Sequence, residues 1–205
     1  MQRRNHIIDK KTDRLHLSRF KSLLFSDNIL FFAPYEDEVD MGNLYMNLLY
    51  GLSEFLVQYN KGDIFFRGGI AKGNLYYDEK LHFVFGSGLV KAHDLENKIA
   101  KYPRIVLDEN LNPSSILTGI NQDNENVWYL DYLSLGYNLI CNQNRPQRNY
   151  EQFLSCLDEQ KDAIIRAYNK YKDDQRIFPK YQWLAKYHNS FCIKQGFVNC
   201  VIEIE

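Results

Sequence analysis

Long apolar runs are missing from this sequence, and so is any surplus of charge. The longest apolar stretches, such as the one in NILFFAP at residues 28–34, fall far short of the roughly 20 residues that a membrane-spanning helix needs. The opening MQRRNHIIDKK is basic but has no apolar leader core, so a cytoplasmic location is expected and no membrane partner. Lys and Arg number 25 against 26 Asp and Glu, a formal net charge of −1. That balance supplies no general pull toward nucleic acid or anionic lipid, and neither is expected as a partner. Cysteine is sparse: Cys141, Cys156, Cys192 and Cys200 are widely spaced with no CxxC pair, a pattern that disfavours a zinc site and a disulfide framework and reads as ordinary reduced thiols. Internal repeats and low-complexity segments are lacking too.

What is present suits a globular α+β chain. With 45% hydrophobic residues in 205, it can bury a substantial core. FKSLLFSDNILFFAP reads as two strands meeting at Ser26-Asp27-Asn28, with Pro34 ending the second. Leu44, Leu48, Leu52, Phe55, Leu56 and Tyr59 recur at helical spacing, predicting an amphipathic helix from Met41 to Asn60 with Gly62 near its C-terminal cap. DIFFRGGIAKGNLYYDEKLHFVFG then predicts a strand ending near Lys72, a turn around Asp78 to Lys80 and a strand over Leu81 to Phe85. Residues 88–101 carry Leu89, Ala92, Leu95 and Ile99 on one side, a helix that must stop near Tyr102 because Pro103 follows. RIVLD reads as a buried strand.

Loop signals fill Glu109 to Asn126, and VWYLDYL reads as another strand. Beyond CNQNRPQRNY, Phe153, Leu157, Ile164, Tyr168 and Tyr171 line a helix ending before Pro179. KYQWLAKYHNSF is a candidate for a further helix, and the tail NCVIEIE looks like a last strand. The expected fold is α+β with a mostly antiparallel sheet. Residues 1–145 form its core and residues 146–205 a helical C-terminal extension with a final strand.

The ordered set FSDNILFF, helix, FFRGGIAKG, FVFGSGLVKAHDLE and IAKYPRIVLD resembles the catalytic domain of class III nucleotide cyclases. More narrowly, RGGIAKG, the LEN-to-YPRIVLD segment, YLDYL and KYQWLAKYHN are similar to the prokaryotic branch that includes the pyrimidine cyclases of Pycsar antiphage systems. The resemblance runs over roughly Lys21 to Asn189, and its specificity lies in the order of the segments, each of which is weak alone. It implies a ferredoxin-like fold with helices on one face of the sheet. It also implies a nucleoside triphosphate substrate, pyrimidine in preference to purine, with Mg2+ or Mn2+, and a homodimer with a shared site.

Carried onto this chain, the resemblance places a metal-binding carboxylate at Asp27. Turn geometry alone also favours an aspartate there. It puts Ser87 in the base-recognition region, where a hydroxyl could read a base edge, although a serine between two glycines is also a routine turn. Gly68 and Gly69 would let a strand run close beneath the nucleotide, and the amides that open the helix after Gly86 and Gly88 could face phosphate; the alternative is that these glycines only make hairpin ends. Lys91, Arg67 and Arg104 are the cations available for phosphate, though each has an ordinary surface or salt-bridged alternative. Two departures stand out. Only 26 residues precede Asp27, whereas the family's earlier strand and two helices need about 27 residues before any loop is counted. The expectation is therefore a core lacking the usual first strand and helices, truncated or degenerate, with Asp9 in NHIID as a remnant or a coincidence. Second, Val90 stands where the family's transition-state Asn belongs and Asp94 where its phosphate Arg belongs, which removes the purine-cyclase arrangement. His82 and His93 lack partners at ligand spacing. Trp183 and Tyr187, one helical turn apart, read as packing residues in preference to a base-stacking pair.

Overall fold

A computed structural model of the chain describes residues 19–113, 118–141 and 147–204; Asp9 and NHIID lie outside them. The chain divides into two compact units, Met1–Leu48 and Leu49–Glu205, with the boundary inside a helix.

In the first unit, β1 (Lys21–Phe25) and β2 (Asn28–Phe32) form an antiparallel hairpin. Phe25 pairs with Asn28, so the loop is Ser26 and Asp27 alone. Ser26 supplies the left-handed residue at φ 54°, the conformation that a two-residue hairpin loop needs. The helix α1 (Glu38–Tyr59) follows. Asp37 caps it, its carboxylate accepting the Asp40 N–H at 2.8 Å. Arg19 grips the Asp40 carboxylate through both terminal nitrogens and reaches the Pro34 carbonyl at 2.9 Å. After Tyr59 the chain tightens into a 3₁₀ turn over Asn60–Gly62, and Asp63, at φ 62°, takes the left-handed position. Gly62 is the residue the sequence places near that cap; the extra turn moves the role one residue on.

The second unit is built on a mixed sheet. It contains β3 (Gly68–Ile70), β6 (Ile105–Leu107), β8 (Trp128–Leu130) and β7 (Ile120–Gln122), in that spatial order. β3 and β6 are parallel, whereas β6 with β8 and β7 with β8 are antiparallel. Between β3 and β6 the chain makes a separate hairpin, β4 (Tyr76–Asp78) with β5 (Phe83–Phe85). Its turn is fixed by Asp78, whose carboxylate accepts the N–H groups of Lys80 and Leu81 at 2.9 and 3.0 Å. The helix α2 (Ser87–Asp94) then returns toward β6, widening into a π-helical stretch over Leu95–Ala100 before Pro103.

Gly69, Val106 and Tyr129 form one row across the sheet, so they share a face. Gly69 meets α2 and its extension there: a Cβ would lie 2.5 Å from the Ala92 carbonyl oxygen and 2.6 Å from Leu95 Cβ. Tyr129 meets α5 (Phe178–Gln195) on the same face through an edge contact with Trp183 at 5.6 Å. Ile105 and Leu107, on the opposite face, are buried along with Val106, so the central strand is covered on both sides. α3 (Tyr132–Cys141) and α4 (Gln147–Tyr171) complete the unit, α4 packing along α5.

Several expectations need correction. The strand of RGGIAKG stops at Ile70, not Lys72, and pairs with β6 and not with the next hairpin. The strand over Leu81 to Phe85 begins only at Phe83, because Asp78 holds the preceding residues in its turn and His82 sits there at φ 48°. Ile120–Gln122, read as loop, forms an edge strand. VWYLDYL is a strand only to Leu130: Asp131 accepts the Ser134 and Leu135 N–H groups and starts α3. In the tail read as a strand, Asn199 and Cys200 belong to a 3₁₀ turn over Val198–Cys200, and residues 201–204 form no strand.

Candidate functional site

The residues proposed for nucleotide contact fall at the two ends of the parallel β3–β6 pair. At the amino end, the Arg67 guanidinium donates to Glu96 at 3.2 Å and to Asn97 Oδ1 at 3.4 Å. His93 sits on the same patch, its Nε2 3.0 Å from Asn97 Nδ2. These exposed groups satisfy one another.

At the carboxyl end lie Ser87 and Lys91, one turn apart on α2 and therefore on one face of it. The loop leaving β3 turns back here by backbone contact that side chains would block. A Cβ on Gly73 would lie 2.6 Å from the Gly88 nitrogen, and one on Gly86, at φ 149°, would lie 2.2 Å from the Asn74 carbonyl oxygen. Asn74 closes the clasp: its N–H donates to Ser87 Oγ at 3.2 Å, and its carbonyl accepts the Gly88 N–H at 3.1 Å. The glycines thus bring protein backbone against protein backbone. At Gly68 the nearest atom to a Cβ is likewise protein, Ile105 Cδ1 at 3.0 Å.

Lys91 reaches across to β6. Its ammonium lies 2.6 Å from Asp108 Oδ2, the lysine side chain 38% exposed and the aspartate side chain 5%. Asp108 directly follows β6 and is tied to the end of β3, its N–H donating to the Ile70 carbonyl at 2.9 Å. Sequence reasoning passed over Asp108, although a carboxylate closing the apolar run RIVLD was the available signal.

The third cation is structural. Arg104 is buried, donates to Asp123 at 2.6 Å and to the Ala100 carbonyl at 3.0 Å, and lies against the rings of Tyr102, Tyr129 and Trp183 at 5.2 to 5.5 Å. Burial alone would raise the Asp123 carboxyl, but hydrogen bonds from Arg104 and the Val127 N–H outweigh it and hold Asp123 below the usual range. Trp183 and Tyr187 are packing residues as expected: Trp183 stacks between Tyr102 and Tyr187, each at 5.5 Å. The Tyr187 hydroxyl donates to Asp131 at 2.8 Å and accepts the Leu133 N–H at 3.0 Å, locking α5 to the start of α3. Burial raises its ionisation well above the ordinary tyrosine value.

Asp27, in the first unit, is exposed at the hairpin tip, where it accepts from Asn28 Nδ2 at 3.1 Å. Among the described residues no group of three His, Cys, Asp or Glu side chains could hold a metal ion. One carboxylate does not make the two-metal site that phosphoryl chemistry of this type uses, so no catalytic step is assigned to a metal. Among the described residues no helix is long and apolar enough to cross a membrane. Comparison of the chain with protein-family models, curated proteins and solved structures found no match.

Proposed function

We propose that this chain is a nucleotide cyclase-like protein of the class III type, forming a cyclic pyrimidine mononucleotide from its triphosphate as an antiphage signal. With that reading go Mg2+ or Mn2+, Asp27 as a metal ligand, a cytoplasmic setting and a homodimer. One observation carries most of its support: a β3–α2–β6 crossover with Lys91 and Ser87 at the carboxyl ends of two parallel strands. Ligands in parallel α/β units bind at that end, at the helix that follows the first strand. In cyclisation the ribose 3′-oxygen attacks the α-phosphorus, a new P–O bond forms and pyrophosphate leaves. A cation beside the phosphates lowers the cost of that charge.

A second reading, nucleotide binding without turnover, is favoured by the same helix. Val90 stands 61% exposed in the place of a transition-state donor, and Asp94 pairs with Lys98 at 2.9 Å. Incubation of the purified protein with CTP, UTP, ATP or GTP and Mn2+, followed by mass spectrometry and calorimetry, separates the readings. A cyclic pyrimidine product supports the first; binding without product supports the second. Absence of both removes the nucleotide reading.

A further inference from the structure

We infer that Asp108 is a positioning residue, holding the Lys91 ammonium at the carboxyl ends of β3 and β6 to receive the phosphates of a nucleoside triphosphate. This rests on the nucleotide reading above.

Asp108 is an unusual place for a carboxylate. Its side chain is 5% exposed, and its two oxygens are treated differently. Oδ1 accepts the Asn110 N–H at 3.1 Å and so caps the short turn after β6. Oδ2 is buried and accepts no hydrogen bond of good geometry among the described residues, facing instead the Lys91 ammonium at 2.6 Å. A buried carboxylate oxygen without hydrogen bonds is costly unless opposite charge lies against it. Asp108 therefore draws Lys91 inward and fixes its long, flexible stem.

The pair is lopsided in a way that suits an anion. The acid is buried while the base remains open to solvent, and an ammonium has three donors, of which Asp108 can take one. Nor is the pair needed to dock α2. The helix and its extension are already seated by the contact at Gly69 and by the Gly73–Gly88 and Asn74–Ser87 clasp. With Ser87 one turn earlier on the same face, a hydroxyl and a fixed cation stand together beside the strand ends.

The sign of the effect separates positioning from simple electrostatics. Removing a negative charge beside an anion site would tighten anion binding if Coulomb forces alone mattered. Loss of positioning weakens it. Calorimetry of the full chain with Mg2+ and, in turn, CTP, UTP, ATP, GTP and inorganic triphosphate gives the test, using wild type, Asp108→Asn, Lys91→Ala and the double variant. Asp108→Asn is expected to weaken binding about ten- to hundredfold, the value of the one charge-assisted hydrogen bond that a positioned Lys91 would donate to phosphate. Lys91→Ala should do the same, and the double variant should be no worse than Lys91→Ala. Unchanged or tighter binding in Asp108→Asn, with or without a lower Tm, overturns the inference and leaves the nucleotide reading standing. Wild type that binds none of the five probes overturns both. Should Asp108→Asn fail to fold, a structure of the wild type with bound triphosphate decides instead: Lys91 must touch Asp108 and a phosphate oxygen together, and a Lys91 that swings away from Asp108 overturns the inference.

Discussion

Asn189 holds the C-terminal tail as a neighbouring strand would. Its Nδ2 donates to the Ile202 carbonyl at 2.8 Å, and its Oδ1 accepts the Ile202 N–H at 2.7 Å. Ile202 is buried, so both backbone groups need partners, and one side-chain amide supplies both.

Asn189→Ala should therefore cost about 1 to 3 kcal/mol, the penalty for leaving buried backbone groups unpaired. Asn189→Asp, which keeps the acceptor and loses the donor, should fall between. Urea denaturation monitored by circular dichroism checks the order.

His188 makes the tail sensitive to acid. Its Nε2 lies 2.9 Å from the Cys200 carbonyl, so it carries the proton and donates. Burial is the main cause that brings its pKa down to about 4, Lys161 adding to it while the Cys200 carbonyl and Asp158 oppose it. Between about pH 6.5 and 4 the unfolded chain binds a proton that the folded chain refuses, so stability falls as pH drops through that window. The loss amounts to about 3 kcal/mol. The stability difference between wild type and His188→Gln should narrow from pH 7 to pH 4.5; a constant difference would assign the residue a role without titration.

Two glycine substitutions should have opposite signs. Gly69→Ala drives a methyl group into the Ala92 carbonyl and Leu95 and should cost about 1 to 3 kcal/mol, as overpacking does. Gly42→Ala, in α1 with nothing within 4 Å of a new Cβ, should stabilise by about 0.5 to 1 kcal/mol through helix propensity. Thermal melts of the pair give the comparison.

Asp27→Asn keeps the turn chemistry and removes the charge. Melting should be unchanged while metal-dependent nucleotide affinity falls. Equal affinity in both proteins, measured by calorimetry with Mn2+, would sink the metal assignment.

The shared-site part of the proposal requires two copies. Light scattering at micromolar concentration is expected to return the mass of a dimer, and a clean monomer counts against that part.

Local pattern carried most elements of this chain. The 3.6-residue spacing of Phe153, Leu157 and Ile164 marked α4, the apolar run RIVLD marked β6, and Ser26-Asp27-Asn28 marked the first turn, of which Asn28 proved to belong to β2, because each signal depends on neighbours within one helical turn or hairpin. Trp183 and Tyr187 were recognisable as packing residues for the same reason. Tertiary structure decided the rest. A three-residue strand such as Gly68–Ile70 has too little sequence to name its partner, and its parallel pairing with β6 goes together with the packing of α2 on Gly69. Arg67 and Lys91 look alike in the sequence, yet Arg67 stays at the amino end of β3, against Glu96, while α2 carries Lys91 to the carboxyl end of the strand pair, against Asp108. The tail has the alternation of a strand, VIEI, but strand pairing needs a free neighbouring backbone, and here the neighbour is a helix whose Asn189 supplies the hydrogen bonds from a side chain.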